Sequence, residues 1–265
     1  MNGKGVHGSA AGSEIASRAG IVIVAALVML PLAGCVELRI PDPDAVYVAF
    51  GDSATRGPSD RDYPDILRER LDAPVGSMAN EGESGETAQE GVDRLRGLLA
   101  NEIFPNAEYL LYWQGGNDIT DFIKDVDPLL LFSPDDPDYP FATRLDGKLD
   151  SIAAAVAEAI RAGQEAGLRV HVATYFFLRE NVGDCPALFL NIILPAQADN
   201  ANAYITRLNA RIREAVGDTR ATLVDVADED ERLRGDPANY FNCNHLSAQG
   251  NDIVAALFAT SIEAG

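Results

Sequence analysis

The chain has 265 residues and a formal net charge of −20 at pH 7. Its length fits one large domain or two small ones, and 47% hydrophobic with 23% charged residues is typical of a globular protein with a sizeable core. The excess of Asp and Glu argues against nucleic acid and anionic lipid headgroups as partners, because both bind patches of Lys and Arg.

The N-terminal segment is predicted to be a targeting signal. An apolar run over 21–30 is too short to span a bilayer comfortably, and Leu-Ala-Gly-Cys, residues 32–35, follows it. This tetrapeptide resembles the lipobox of bacterial lipoproteins, which implies a signal peptide over 1–34 and a lipid anchor at Cys35, in the cell envelope. The alternative is an ordinary secretory signal with a chance cysteine. We expect 35–44 to be a linker and 45–265 to be the folded domain.

Apolar runs alternate with helix-periodic segments along that domain. The predicted strands are 45–50, 75–80, 108–113, 168–177 and 221–227, and the clearest predicted helices are 147–166 and 247–262. The strands lack polar alternation, which is typical of strands covered on both faces. The pattern therefore predicts an α/β fold with a mostly parallel sheet, whose ligands bind at the carboxyl ends of the strands.

A long segment rich in Pro and Asp, 125–146, interrupts this alternation. Segments of this length without regular structure are usually functional, so we weigh a lid or substrate wall against an inert insertion. Two apolar stretches, 128–132 and 188–196, are expected either to line an acyl channel or to belong to the core.

Three polar motifs begin where predicted strands end: GDSAT (51–55), NEGESGETAQEG (80–91) and GGND (115–118). Ser53 offers a hydroxyl nucleophile, and His245, after the last predicted strand, offers the base that such a nucleophile needs. The N–H groups of Ser53 and Gly85 and the side-chain amide of Asn117 are the donors that would bind a tetrahedral oxyanion. Taken singly, the same residues are also common in turns and caps.

Other polar residues near these motifs are predicted to be structural. His171 lies in an apolar strand and is expected to be a satisfied core histidine. Asp52 and Asp118 are expected to bond the loop backbone rather than to carry protons. The sequence has no Cys or His spacing typical of a metal site.

The blocks GDS, N-x-G-x-S-G-x-T, GGND and a late His before LSAQG resemble, in this order, the SGNH or GDSL-type hydrolase family. The resemblance covers nearly all of 45–262. It implies a flavodoxin-like three-layer α/β/α sandwich with five parallel strands, and hydrolysis of carboxylic esters of small molecules, lipids or glycans without a metal or organic cofactor. It also implies that Ser53 and His245 are catalytic and that Ser53, Gly85 and Asn117 form the oxyanion hole. We rank acyl-ester hydrolysis ahead of carbohydrate O-deacetylation.

One position departs from the family pattern, which ends in Asp-x-x-His. Here Asn242 stands three residues before His245. Asn242 or a backbone carbonyl orients the imidazole of a Ser–His dyad in the hypothesis that we favour. In the second hypothesis Asp236 or another carboxylate reaches the ring. In the third the site has decayed and the protein binds acyl or glycan ligands without turnover.

The cysteines bear on the same region. With Cys35 lipidated, Cys185 and Cys243 remain, and in an exported protein they are expected to form a disulfide. Such a bond would hold the 181–200 segment beside His245. Two free thiols are the alternative, because spacing alone defines no geometry.

Overall fold

The computed structural model describes residues 42–58, 61–180, 185, 193–217 and 219–264. The predicted signal peptide and Cys35 lie outside these residues, as does most of 181–192. Within the described residues, no helix combines the length and the apolar character that crossing a bilayer requires.

A five-stranded parallel sheet forms the centre of the domain. Its strand order is β2-β1-β3-β4-β5. Every residue of the central strand β3 is buried, which explains the absence of polar alternation in the sequence. The strands are β1 (Tyr47–Gly51), β2 (Met78–Gly82), β3 (Tyr109–Trp113), β4 (Arg169–Ala173) and β5 (Thr222–Val224).

Two groups of helices flank the sheet and complete a three-layer α/β/α sandwich, which confirms the predicted fold class. Helix α2 packs against α8, and α5 packs against both α3 and α6. The helices are α1 (Ser53–Arg56), α2 (Tyr63–Arg70), α3 (Ala88–Ala100), α4 (Gly116–Val126), α5 (Ala142–Glu165), α6 (Pro195–Gly217), α7 (Asp230–Gly235) and α8 (Ala248–Ala264). A short antiparallel pair, β6 (Tyr240–Asn242) and β7 (His245–Leu246), precedes α8.

The end of β4 differs from the prediction of a strand over 168–177. After Ala173 the chain leaves the sheet, and two asparagines of α6 bond its backbone instead. Asn209 accepts from Tyr175 N–H at 2.7 Å and donates to Tyr175 C=O at 2.8 Å. Asn202 bonds the N–H and C=O of Leu178 in the same way, at 2.7 and 3.0 Å. These side chains satisfy backbone groups that the sheet no longer pairs.

The long segment is shorter than predicted, because residues 125–126 end α4 and 142–146 begin α5. The connection over 127–141 is organised by the buried Asp127, whose carboxylate accepts hydrogen bonds from Leu131 N and Phe132 N, both at 2.9 Å. Gln197 and Asn200 of α6 donate to the carbonyl groups of this connection. The connection is therefore bound to the N-terminal part of α6.

Candidate active site

Ser53 lies at the carboxyl end of β1, as predicted, and is the first residue of α1. Asp52 caps this helix: its carboxylate accepts a hydrogen bond from Ala54 N at 2.8 Å. The Ser53 N–H, in the first turn of this helix, has no acceptor among the described residues. The hydroxyl group and the N–H of one residue are thus presented at the same edge of the sheet.

His245 meets Ser53 although 192 residues separate them. Its Nε2 lies 3.0 Å from Ser53 Oγ, and its Nδ1 lies 3.0 Å from Asn242 Oδ1. The strand pair β6–β7 creates this arrangement, because Asn242 and His245 are opposite one another in its register. The three side chains form one hydrogen-bonded line from the amide to the hydroxyl group.

The orientation of the Asn242 amide is fixed by the backbone. Its Oδ1 accepts a second hydrogen bond, from Asn244 N–H at 3.1 Å, so the oxygen rather than the nitrogen must face His245. An oxygen at this place requires a proton on His245 Nδ1. Nε2 is then unprotonated and can accept the Ser53 proton, which is the tautomer that a general base needs.

Asp236 does not reach this ring. Its carboxylate accepts from Ala238 N at 2.9 Å and from Gln249 Nε2 at 2.8 Å. The described residue that bonds His245 Nδ1 is Asn242, so the geometry fits our first hypothesis for the missing acid. Burial lowers the pKa of His245 below its usual range.

The other predicted oxyanion donors lie in the same cleft. Gly85 has a φ of +85°, which side-chain-bearing residues rarely adopt, and its N–H has no acceptor among the described residues. Asn117 donates one amide proton to Glu86 C=O at 3.0 Å, which leaves its second proton for a ligand. Gly115, with a φ of +120°, makes the turn that places Asn117 in the first turn of α4. The structure therefore brings all five predicted catalytic and oxyanion groups together.

Sequence reasoning missed the support of the Gly85 loop. Glu86 is buried, and Arg94 of α3 donates to both of its carboxylate oxygens, at 2.6 and 2.8 Å. Gln114 donates to the same carboxylate at 2.5 Å. Arg94 also stacks on the Phe50 ring, 4.0 Å from its centroid. In the sequence, the signal for this network is a glutamate inside the second polar motif and a glutamine directly before GGND.

Asp52 has a second role that the sequence does not reveal. Tyr175, at the point where the chain leaves β4, donates its hydroxyl hydrogen bond to Asp52 Oδ2 at 2.6 Å. Burial raises the pKa of Asp52 to about 6, against the opposing effect of these hydrogen bonds. Asp118 accepts from Ala88 N at 2.7 Å. Both aspartates bond the loop backbone, as expected.

Two spaces open beside Ser53. An apolar cavity of about 80 Å³ lies between α4, α6 and the segment after β4, and its apolar walls include Ile119, Ile123, Phe176, Leu178, Ala201 and Ile205. A more open cleft, which we call the polar cleft because most of its lining side chains are polar, is lined by Ser84, Gly85, Lys124 and His245 and shares Ser53, Asn117, Thr120 and Asn244 with the cavity. Residues 127–141 line neither space, so 128–132, which we expected to line an acyl channel or to belong to the core, do not line a channel here. Of these, Leu130 is buried, whereas Leu129, Leu131 and Phe132 are exposed.

The predicted disulfide is present. Cys185 and Cys243 are bonded, with their Cα atoms 5.2 Å apart, and both are fully buried. Cys243 lies between Asn242 and His245, so the bond fixes the turn that carries the proposed base. His171 is remote from this site: it is buried in β4, and its Nδ1 lies 2.9 Å from Ser261 Oγ. Within the described part of the chain, no cluster of three His, Cys, Asp or Glu residues is arranged to hold a metal ion.

The sequence of the chain also matches a known protein family. Residues 49–253 match the profile of the GDSL-like Lipase/Acylhydrolase family. The chain belongs to this family. Membership supports hydrolase activity at the level of the GDSL family, and it confirms the resemblance of the sequence motifs. A search of curated proteins finds no significant match.

Solved structures of a G-D-S-L family protein, an acetylxylan esterase and a lipase share the fold. A lipolytic protein of the G-D-S-L family from Veillonella parvula is 14% identical, with a TM-score of 0.56. The alignment covers 82% of this chain and 97% of that chain. An acetylxylan esterase from Geobacillus stearothermophilus is 15% identical, with a TM-score of 0.55 and coverages of 82% and 93%. A lipase from goat rumen metagenome is 14% identical, with a TM-score of 0.57 and coverages of 81% and 96%.

Proposed function

We propose that the protein is a serine ester hydrolase in which Ser53 is the nucleophile and His245 the general base. The observation that supports this most directly is the hydrogen-bonded line from Ser53 Oγ through His245 to Asn242 Oδ1, with 3.0 Å at each step. A hydroxyl nucleophile needs a base within this reach and an orienting group behind the base. Both requirements are met beside the proposed oxyanion donors.

The proposed reaction has two halves. Ser53 Oγ attacks the ester carbonyl carbon as its proton passes to His245 Nε2. The oxyanion is bound by the N–H groups of Ser53 and Gly85 and by Asn117 Nδ2. The bond from carbon to the alcohol oxygen then breaks, and His245 returns the proton to that oxygen. Water, deprotonated by His245, attacks the acyl-enzyme and releases the carboxylic acid and the Ser53 hydroxyl.

Asn242 supports turnover rather than decay. It holds the imidazole in the productive tautomer, and the lowered pKa of His245 keeps the ring unprotonated near pH 7, so that Nε2 is available to accept a proton. What Asn242 lacks is the charge that would stabilise the imidazolium as it forms. We therefore expect a working but slower dyad instead of an inert binding site.

The test is hydrolysis of chromogenic esters by the full chain and its Ser53→Ala variant. Ser151→Ala removes an exposed serine of α5 and is the matched control. We expect Ser53→Ala to lose turnover by at least about 10³-fold and Ser151→Ala to match the wild type. A fluorophosphonate probe should add its mass to the wild type and Ser151→Ala but not to Ser53→Ala. Equal rates in all three proteins would refute the proposal.

We further propose that the mature protein is anchored in the cell envelope by a lipid on Cys35. The support is the lipobox-like sequence at 32–35 after the apolar run. Cys35→Ser should move the protein from the membrane fraction to the soluble fraction after cell lysis. An unchanged distribution would contradict the anchor and leave the proposed hydrolase activity untouched.

A further inference from the structure

We infer that the apolar cavity between α4 and α6 binds the acyl chain of the substrate, an unbranched aliphatic chain of about six to eight carbons, and that the alcohol leaves through the polar cleft. This inference rests on the proposed function, because it needs Ser53 to be acylated. It goes beyond that function in naming the acyl class and the residues that select it.

The position of His245 decides which part of the ester enters which space. His245 must return a proton to the leaving alcohol oxygen, so that oxygen has to lie on the His245 side of Ser53. Ser53 and Asn117 line both spaces, whereas His245 lines the polar cleft and not the apolar cavity. With the carbonyl oxygen at Asn117, the acyl chain therefore points away from His245 and into the cavity.

The chemistry of the two spaces agrees with this assignment. Helix α4 contributes Ile119 and Ile123 to the cavity, and α6 contributes Ala201 and Ile205. Each methylene group buried there should raise the affinity for the acyl chain about fourfold. The cleft instead presents Ser84, Lys124 and His245, none of which lines the cavity, and these side chains suit a hydroxylated or otherwise polar alcohol.

The size of the cavity limits the chain length. A water-sized group needs about 10–15 Å³ of such space, so a cavity of about 80 Å³ accepts roughly five to eight methylene-sized groups beyond the carbonyl carbon. An acetyl group would leave most of the cavity without contacts, and a chain much longer than octanoyl would have to project into solvent. Hexanoyl and octanoyl esters are the best fit.

A pair of isomeric esters tests the sidedness. Ethyl hexanoate and hexyl acetate have the same atoms, and they differ in whether the six-carbon chain is the acyl or the alcohol part. We expect kcat/KM to favour ethyl hexanoate by at least about tenfold, because only its long chain can occupy the cavity when His245 faces the leaving oxygen. A preference for hexyl acetate would overturn the assignment.

Substitutions in the cavity wall test the residues. Ile205→Ala should move the optimum of a chain-length series to longer acyl groups, and Ala201→Leu should lower the ratio of octanoate to acetate hydrolysis by at least about tenfold. Ile212→Ala and Ala198→Leu change equally buried residues of α6 that do not line the cavity, and they should keep the wild-type chain-length profile.

The outcomes separate this inference from the proposed function. Turnover with an acetate optimum, or cavity variants that change all chain lengths by one common factor, would overturn the acyl assignment and leave the serine hydrolase in place. Absence of Ser53-dependent turnover with any ester in the series would instead refute the proposed function, and the assignment with it. A hexanoate or octanoate optimum that shifts only in the cavity variants is the result we expect.

Discussion

Replacing Asn242 by Asp would add the charge that the family pattern has at this position while changing little else. The new carboxylate would lie 3.0 Å from His245 Nδ1 and would still accept the hydrogen bond from Asn244 N–H. The two side chains have nearly the same size and shape. The substitution therefore tests the electrostatic role of this position separately from its role in orienting the ring.

The magnitude follows from the pKa of His245, which burial now lowers without an opposing carboxylate. An opposite charge within hydrogen-bond reach raises a pKa by about 1–3 units, or about 1.4–4 kcal/mol in favour of the imidazolium. Part of that stabilisation applies in the transition state, so we expect kcat/KM at alkaline pH to rise by about 10- to 100-fold. In the serine-protease template the reverse change costs about 10⁴ because the tautomer is also wrong. Here Asn244 already fixes the tautomer, so the gain should be smaller.

The sign of the effect reverses with pH. The higher pKa in the Asn242→Asp variant keeps His245 protonated, and hence unable to act as a base, in a range where the wild type is already active. Asn242→Asp should therefore be slower than the wild type at pH values below its own raised His245 pKa and faster at alkaline pH, since the added charge moves the acid limb by about 1–3 units. The two pH profiles should cross.

The assay is kcat/KM for a chromogenic octanoate ester between pH 5 and 9.5. Asn101→Asp, which adds the same charge at the exposed end of α3, should follow the wild-type profile. Coincident acid limbs for wild type and Asn242→Asp would show that position 242 does not act on His245 through charge. A gain near 10⁴ would show that Asn242 leaves the tautomer wrong, and would refute our interpretation of the Asn244 hydrogen bond.

Three further changes probe the support of the site. Arg94→Ala removes the charged partner of Glu86 and should lower kcat by about tenfold or more with little change in KM, because the Gly85 donor loses its position. Arg94→Lys should recover only part of the lost kcat, since lysine cannot bond both carboxylate oxygens. Cys243→Ser should lower the free energy of unfolding in urea by about 4 kcal/mol, the chain-entropy value for the 58-residue separation from Cys185, and wild type unfolded under reducing conditions should lose the same amount. The pKa of Asp52 is raised from 3.8 to about 6, so its contribution to stability is present below pH 4 and lost as the pH rises through 6. The free energy of unfolding of the wild type should therefore fall by about 2 kcal/mol relative to Asp52→Asn between pH 4 and 7, and parallel pH profiles would contradict this.

The sequence predicts much of this site because of the geometry of parallel sheets. Their strands end at one edge, so polar residues that follow the predicted strands, such as Ser53 and Asn117, are expected to converge there. Residues joined by side-chain contacts far apart in sequence are harder to foresee. In the sequence Arg94 and Glu86 look like ordinary surface charges, and only the position of α3 shows that Arg94 bonds the Glu86 carboxylate. The apolar run 128–132 shows the same difficulty, because hydrophobicity alone does not tell which space, if any, a loop faces.

The positions at which strands begin and end are also hard to predict from the sequence. The apolar run 168–177 continues past β4, yet the last bond to the sheet is that of Thr174 N–H to Val224 C=O, because Asn209 bonds the backbone of Tyr175. The predicted strand 75–80 is observed as β2 over Met78–Gly82, because Ser77 N–H bonds Pro74 C=O and keeps the preceding residues in a turn. In both cases a specific side chain or turn competes with β-propensity and determines the boundary.

The asparagine bonds to Tyr175 and Leu178 have a consequence for how substrate preference could diverge in this fold. Phe176 lies between these two bonded residues, so the cavity wall that it forms is attached to α6 rather than to the sheet. Helix α6 thus carries two walls of the cavity, its own and that of the segment after β4. A small shift of this helix would move both walls together relative to α4 and resize the cavity. It would also reach Ser53, because Tyr175 donates its hydroxyl hydrogen bond to Asp52, which caps the helix that carries the nucleophile. Substrate range and catalytic geometry are in this way mechanically coupled.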